Sequence, residues 1–323
     1  MGSPLYKVIA FVGLCFFCAL PVFAQDTTDT DDAPPVVKNM KGFHVGLQVG
    51  TVFANKYTAN LYNGYGLDPN GNQNNFTNSF LNQMIYAYGG YGGTQTDRIA
   101  QALGVSPGPG TWSFNSTDMP TKLKYNVAIQ IGLNTRYCFD NKNAIIVNLN
   151  ATKLTATGNF IIETPTPINT GTGLQTTNFN QFSIVGGEER LITQIGFQRI
   201  LGDNPLLNFF VEGGLDLVMA KYLKNTATIN NLTIDLSSPY YTSSSLYYQP
   251  TNPYNQSAYG TFRYHNLEGI GFGVFAGIGL NLTLSSKYII QLLYNPSYDK
   301  INIGAAPKYT LQQSIGFRAY YNF

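Results

Sequence analysis

Ser314-Ile315-Gly316-Phe317-Arg318-Ala319-Tyr320-Tyr321-Asn322-Phe323 is the stretch whose reading decides the fold. Ile315, Phe317, Ala319, Tyr321 and Phe323 fall on one face, and Ser314, Gly316, Arg318, Tyr320 and Asn322 on the other. Strict alternation is the period of a β-strand, in which successive side chains point to opposite sides of the sheet. One apolar face, one mixed polar face and an aromatic last residue suit a strand that crosses a bilayer. Such a strand needs about 9–11 residues, with lipid on one side and a lumen on the other.

The same period recurs upstream in seven further segments, near residues 43–54, 123–139, 144–155, 188–200, 206–222, 266–284 and 288–297. In the second, Leu123, Tyr125, Val127, Ile129, Ile131 and Leu133 are expected to face lipid, and Lys124, Asn126, Gln130, Asn134 and Arg136 the interior. The sixth sets Ile270, Phe272, Val274, Ile278, Leu280 and Leu282 against Gly271, Gly273, Gly277, Gly279 and Asn281. Those glycines leave lumen space for Tyr320 or Arg318, and with no Lys-Ser/Thr and no helix after them they are not a phosphate loop.

Tight, turn-rich connections near 140–143, 201–205 and 285–287 alternate with long ones at 55–121, 158–187, 223–265 and 299–308. Short turns on one side and long loops on the other are the pattern of outer-membrane barrels, short turns periplasmic and long loops extracellular. Both termini are then expected in the periplasm. Phe43, Tyr137, Phe139, Phe197, Phe209, Tyr288, Tyr321 and Phe323 fall at the turn ends of their strands, while Phe53, Tyr125, Tyr294 and Tyr309 fall at the other ends. These are two aromatic girdles at the expected interfaces.

Composition agrees. Charged residues make up 11% of the chain, against about 25% in an ordinary soluble domain. Aromatics reach 14%, and beyond the N-terminus no apolar run approaches the length of a membrane helix. A net charge of +2 is too small to imply nucleic acid. Lys7, the apolar run that follows it and Val22-Phe23-Ala24 form a secretory signal peptide over residues 1–24. Residues 25–40 read as a flexible periplasmic lead-in, and 41–323 as the barrel. Cys138 alone remains after cleavage, so no internal disulfide framework is expected.

The terminal strand ending on Phe323, with Phe317 and Tyr321, resembles the C-terminal signal that the barrel-assembly machinery recognises in Gram-negative outer-membrane proteins. With its strand pattern and loop alternation, the chain from Phe43 to Phe323 resembles the eight-stranded superfamily of the OmpA transmembrane domain and OmpX-type proteins. That resemblance implies an all-β, antiparallel up-and-down transmembrane barrel in the outer membrane, a monomer, in contact with outer-membrane lipid and lipopolysaccharide. The chain departs from full-length OmpA in that no peptidoglycan-binding domain is expected after Phe323, and from the minimal barrels in its much longer extracellular loops. A ten-stranded version would need residues 226–236 and 258–264 to cross the membrane as an extra hairpin; they read better as extensions of strands five and six.

Function is sought in the lumen, the loops and any catalytic group. An eight-stranded lumen is just wide enough for side chains to fill. Arg136, Arg190, Glu212, Asp216 and Arg318 point inward with Gln48, Gln130, Gln194 and Gln312, and buried charges must pair. A rigid polar plug is the expectation, with Glu212 and Asp216 holding the arginines, and a narrow, porin-like ion path the alternative. Lipid A-modifying barrel enzymes suggest a third reading, since His265 lies near Glu268 and Ser243-Ser244-Ser245. His44 belongs at the opposite end. No metal-ligand spacing and no cofactor motif is present. In the first loop, residues 96–103 read as a helix with Thr96 or Asp97 as N-cap and Gly104 as its stop. The loops are rich in Tyr, Asn, Ser and Gly, as adaptable recognition surfaces are. A non-enzymatic barrel displaying loops for adhesion, recognition of a host or extracellular ligand, or envelope integrity is the reading carried forward.

Overall fold

The computed structural model describes residues 41–66, 72–86, 95–165, 177–204, 206–236, 268–285, 287–303 and 307–322. The signal peptide and lead-in, Phe323, His265 and the Ser243–Ser245 run lie outside the described residues. Eight long strands are present: β1 (Gly42–Phe53), β2 (Ala128–Cys138), β3 (Asn143–Pro165), β4 (Thr177–Leu201), β5 (Leu207–Ile229), β6 (Glu268–Thr283), β7 (Tyr288–Lys300) and β8 (Tyr309–Asn322). Each pairs antiparallel with its sequence neighbours, and β8 pairs with β1, so the sheet closes on itself. Closure removes every edge within the membrane, where an unpaired backbone group has no water to bond.

Alternation sorts the two faces. Leu215, Phe272 and Phe317 point outward and are 67%, 63% and 61% exposed, whereas inward Arg136, Gln48, Asn148 and Arg318 are buried. A contiguous apolar outer surface on this scale requires a lipid solvent. Aromatics mark its rims. Tyr137, Phe139 and Phe197 contact one another at the turn end, with ring centroids 6.0 and 6.3 Å apart, and Tyr298 stacks on Tyr309 at the other end at 5.5 Å. The β6–β7 ladder skips residues 276–277, opposite Asn295 and Pro296, because proline brings no N–H to that ladder.

Three expectations are corrected. The connections placed at 158–187, 223–265 and 299–308 are partly strand: β3 and β4 run 23 and 25 residues, β5 runs 23, and β7 continues to Lys300. These lengths are about twice what a tilted crossing needs, so β3–β5 stand well beyond the bilayer as a sheet. Beyond β5 the chain turns at Asn230, with φ 50°, and Leu232–Asp235 pairs back on Thr226–Ile229. Residues 226–236 are thus a hairpin above the barrel, and eight strands close the ring.

Second, Leu123 and Tyr125 face inward. Lys124 and Tyr125 pair with Thr157 and Ala156, whereas from Gln130 onward the β2–β3 register is one residue different. A one-residue slip flips every side chain to the other face. Tyr125 is therefore not part of the outer girdle.

Third, the β6 glycines make room for other side chains than expected. A Cβ at Gly279 would meet the Phe210 ring, at Gly277 the Glu212 stem and at Gly273 the Asp299 carboxylate. The Tyr320 ring is instead accommodated by Gly46.

Candidate functional site: the filled lumen and its cap

The turn-end half of the lumen is a polar plug. Glu212 Oε2 accepts from Arg318 Nη1 at 2.8 Å with both side chains fully buried. Arg318 Nε also donates to Gln48 Oε1 at 2.8 Å, and Gln198 Nε2 to Glu212 Oε2 at 3.0 Å. Arg136 donates to Gln198 Oε1 at 3.2 Å and lies 4.5 Å over the Tyr320 ring, its cation held by an amide and an aromatic face. Arg136 thus has no carboxylate partner among the described residues. Side-chain amides continue the network around the wall: Asn134 to Asn148 at 2.8 Å, then Asn148 and Asn295 both to Gln194 Oε1 at 3.2 Å. His44 is buried at the base of β1.

Arg190 does not reach Glu212 or Asp216. Its guanidinium grips Glu188, two residues away on β4, with Nε and Nη2 each 2.6 Å from Oε1. It also spans the lumen, donating to Gln312 Oε1 on β8 and to Thr58 Oγ1 in the first loop, both at 3.1 Å. The second Glu188 oxygen accepts from Tyr62 Oη at 2.7 Å and Tyr125 Oη at 2.8 Å. Tyr62 comes from the first loop. Burial first, then the Glu188 carboxylate, pushes its hydroxyl well above the usual tyrosine range, so it remains a donor. A Cβ at Gly186 would fall inside the Tyr62 ring, so glycine there is what admits it.

Asp216 is the other departure. It sits level with Gly273, and Gly273 with Asp299, on three adjacent strands. Asp299 Oδ2 accepts from Ser297 Oγ at 2.5 Å. Neither carboxyl group forms an ion pair among the described residues, so Asp216 shares its level of the lumen with a second carboxyl group instead of an arginine.

Above this layer the first loop folds into the mouth. The short helices α1 (Lys56–Ala59) and α2 (Phe80–Ile85) are capped by Asn55 and Ser79, whose side chains accept from Tyr57 N and Asn82 N. Helix α3 (Gln95–Leu103) begins one residue before the expected cap, placing Thr96 and Asp97 in its first turn. It stops at Gly104, with φ +74° and its N–H on the Gln101 carbonyl. Phe80, Leu81, Ile85, Ile99, Phe114 and Met119 pack against the inward face of the extended strands at Phe160, Ile162, Ile184 and Ile229. Each such side chain, fully buried, contributes about 1.5–3 kcal/mol. Tyr62 stacks on Tyr222 at 5.6 Å. Polar contacts bind the rim: Ser113 and Glu163 exchange both backbone bonds, and Asn230 Nδ2 donates to the Ala102 carbonyl at 2.7 Å. Asp118 accepts from Asn115 N, and burial, with Glu163 nearby, raises its carboxyl above the usual range.

The first loop is thus a small folded lid with its own apolar core, seated on a filled barrel. Inward Glu188 was implicit in the alternation through Arg190. Tyr62 had no sequence signal, because its partner lies 126 residues away. Among the described residues no three His, Cys, Asp or Glu side chains converge as a metal site would need. Of the candidate hydrolase group only Glu268 is described, outward-facing and 3.9 Å from Lys221.

The chain is an eight-stranded antiparallel β-barrel whose closed ring and apolar outer face are those of a transmembrane barrel. No family model and no curated protein matches the sequence. Solved structures with similarity include Neisserial surface protein A at 7% identity, with 88% of this chain and 98% of that chain covered and a TM-score of 0.37. OprG of Pseudomonas aeruginosa matches at 10% identity, covering 89% and 100%, with a TM-score of 0.36. Ail of Yersinia pestis matches at 8% identity, covering 88% and 99%, with a TM-score of 0.32. Likeness at this level says nothing of role; the architecture stands on the closed ring of strands itself.

Proposed function

We propose that this protein is a closed outer-membrane barrel that presents a folded lid and extended sheet at the cell surface for recognition or envelope integrity, without enzymatic activity. The observation that carries this is the lid. A pore needs a continuous wet path, yet apolar side chains of the first loop fill the mouth, and Tyr62, Glu188 and Arg190 tie the loop to the barrel beneath. Below them the Glu212–Arg318 layer fills the lumen again. In this reading the capped end faces outward and the turns and both termini face the periplasm. The barrel is monomeric, assembled through the terminal strand on which Phe317 and Tyr321 lie.

Cysteine placed at Gly104 or Asn141 in a Cys138-free background tests the orientation with a membrane-impermeant maleimide on intact cells. Gly104→Cys should react and Asn141→Cys should not; the reverse pattern contradicts the proposal. Liposome swelling tests closure: the intact protein should admit no small sugars, and rapid swelling would replace this reading with a porin-like one.

A further inference from the structure

The buried arginines of the lumen use their donors differently. A guanidinium presents Nε–H and Nη2–H side by side on one edge, a fork spaced for the two oxygens of a carboxylate or phosphate. Arg190 closes that edge on Glu188, with Nε and Nη2 each 2.6 Å from Oε1. Arg318 meets Glu212 through Nη1 and Gln48 through Nε, both at 2.8 Å. Arg136 meets no carboxylate among the described residues. Its Nη1 donates to Gln198 Oε1 at 3.2 Å, while Nε and Nη2, the fork, have no acceptor although the residue is only 1% exposed. The Tyr320 ring, 4.5 Å from its central carbon, covers a face of the guanidinium and leaves the edge unsatisfied.

Charge leads to the same place. In the turn-end layer the Arg136 and Arg318 guanidinium groups face the single carboxylate of Glu212, which Arg318 already holds. One buried positive charge is left over, and an unpaired charge in such a site is unfavourable. Arg136 lies close to the turn-end mouth. It is two residues from Cys138, where β2 ends, and stands across from His44, which in turn stands across from Asn322. We propose that the Arg136 fork is a binding site for a small oxyanion, a phosphate or a carboxylate, that enters from the turn end and completes the plug. Both anions carry the chemistry the fork selects, two oxygens side by side sharing negative charge. Chloride offers one point of contact. Water, the simpler occupant, satisfies the N–H groups and leaves the charge in place.

The test is calorimetric titration of the full mature chain, refolded in neutral detergent, with inorganic phosphate, acetate and chloride at matched ionic strength. Phosphate or acetate should bind about tenfold or more tightly than chloride, the scale of one hydrogen bond to a charged group. Either order of phosphate and acetate upholds the site, and the order tells which oxyanion class fits it. Arg136→Lys keeps the positive charge and removes the fork, so both oxyanions should fall to the chloride level while heat-modifiable mobility stays normal. Arg136→Met, in which the leftover charge is gone, should bind none of the three; if it fails to fold, Arg136→Lys carries the comparison. Lys142→Gln, at a half-exposed lysine of the neighbouring turn, should bind as the wild type does. Equal binding of all three anions by the wild type, or binding of none, would mean that water alone meets the fork and would overturn the inference. A preference for oxyanions that survives in Arg136→Lys would overturn it as well.

Discussion

Glu212 and Arg318 show what one pair of residues does in a lumen this narrow. Each is stripped of water and each offsets the other's charge, so removing one leaves a stranded charge. Arg318→Ala or Glu212→Ala should lower unfolding stability by about 3–5 kcal/mol, read from urea-dependent fluorescence of protein in lipid vesicles. Asp216 has the opposite character because its level partner is Asp299. Asp216→Asn should leave the midpoint unchanged or raise it, since an amide keeps a hydrogen-bonding group there and removes any need for the two carboxyls to share a proton. A fall of the size seen for Glu212→Ala would show that Asp216 holds a cation after all. Asp140, in the turn between β2 and β3, responds to acid. The Asn143 side chain, then the Lys142 and Asn143 amides, hold its carboxyl below the usual range. A depressed value stabilises fully above the unfolded value and is lost as pH falls through the folded one. Amide protection at Lys142 and Asn143, taken relative to the intrinsic exchange rate at each pH, should therefore fall below about pH 4. In Asp140→Ala that protection should already be lost at neutral pH.

At the scale of elements, legibility followed the range of the forces involved. Strand identity came from period two, a local property, and Arg318, Glu212 and Arg190 were placed on the inward face by counting residues. Their partners were not, because which inward carboxylate meets which arginine depends on register and shear across several strands. The alternation puts Tyr125 on the outer face, because a one-residue slip near Asn126 leaves no mark in the pattern before it. The long reach of β3–β5 is not legible, since Thr-, Asn- and Gly-rich sequence suits a coil as well as a polar sheet face. Helix α3 was legible through its Gly104 stop. Its docking on β3–β5 was not. If the lid is a separate packed unit, Leu81→Ala should cost about 2–5 kcal/mol locally. It should speed protease cleavage within residues 56–121 while the barrel keeps its heat-modifiable mobility. Loss of the barrel itself would show that lid and barrel fold as one.

For the whole molecule, the central claim is that a filled lumen beneath a packed lid makes a barrel that displays surface and does not conduct. The claim is open to contradiction because the two obstructions lie in series. Loosening only one, by Glu188→Ala or by Arg318→Ala, should leave little current, whereas the double change should open sporadic conductance. The most direct measurement is single-channel recording of the refolded mature protein in planar bilayers. A silent wild type is predicted, with currents appearing only in the double variant. Steady, charge-selective currents from the wild type would contradict it, and the protein would then be a channel.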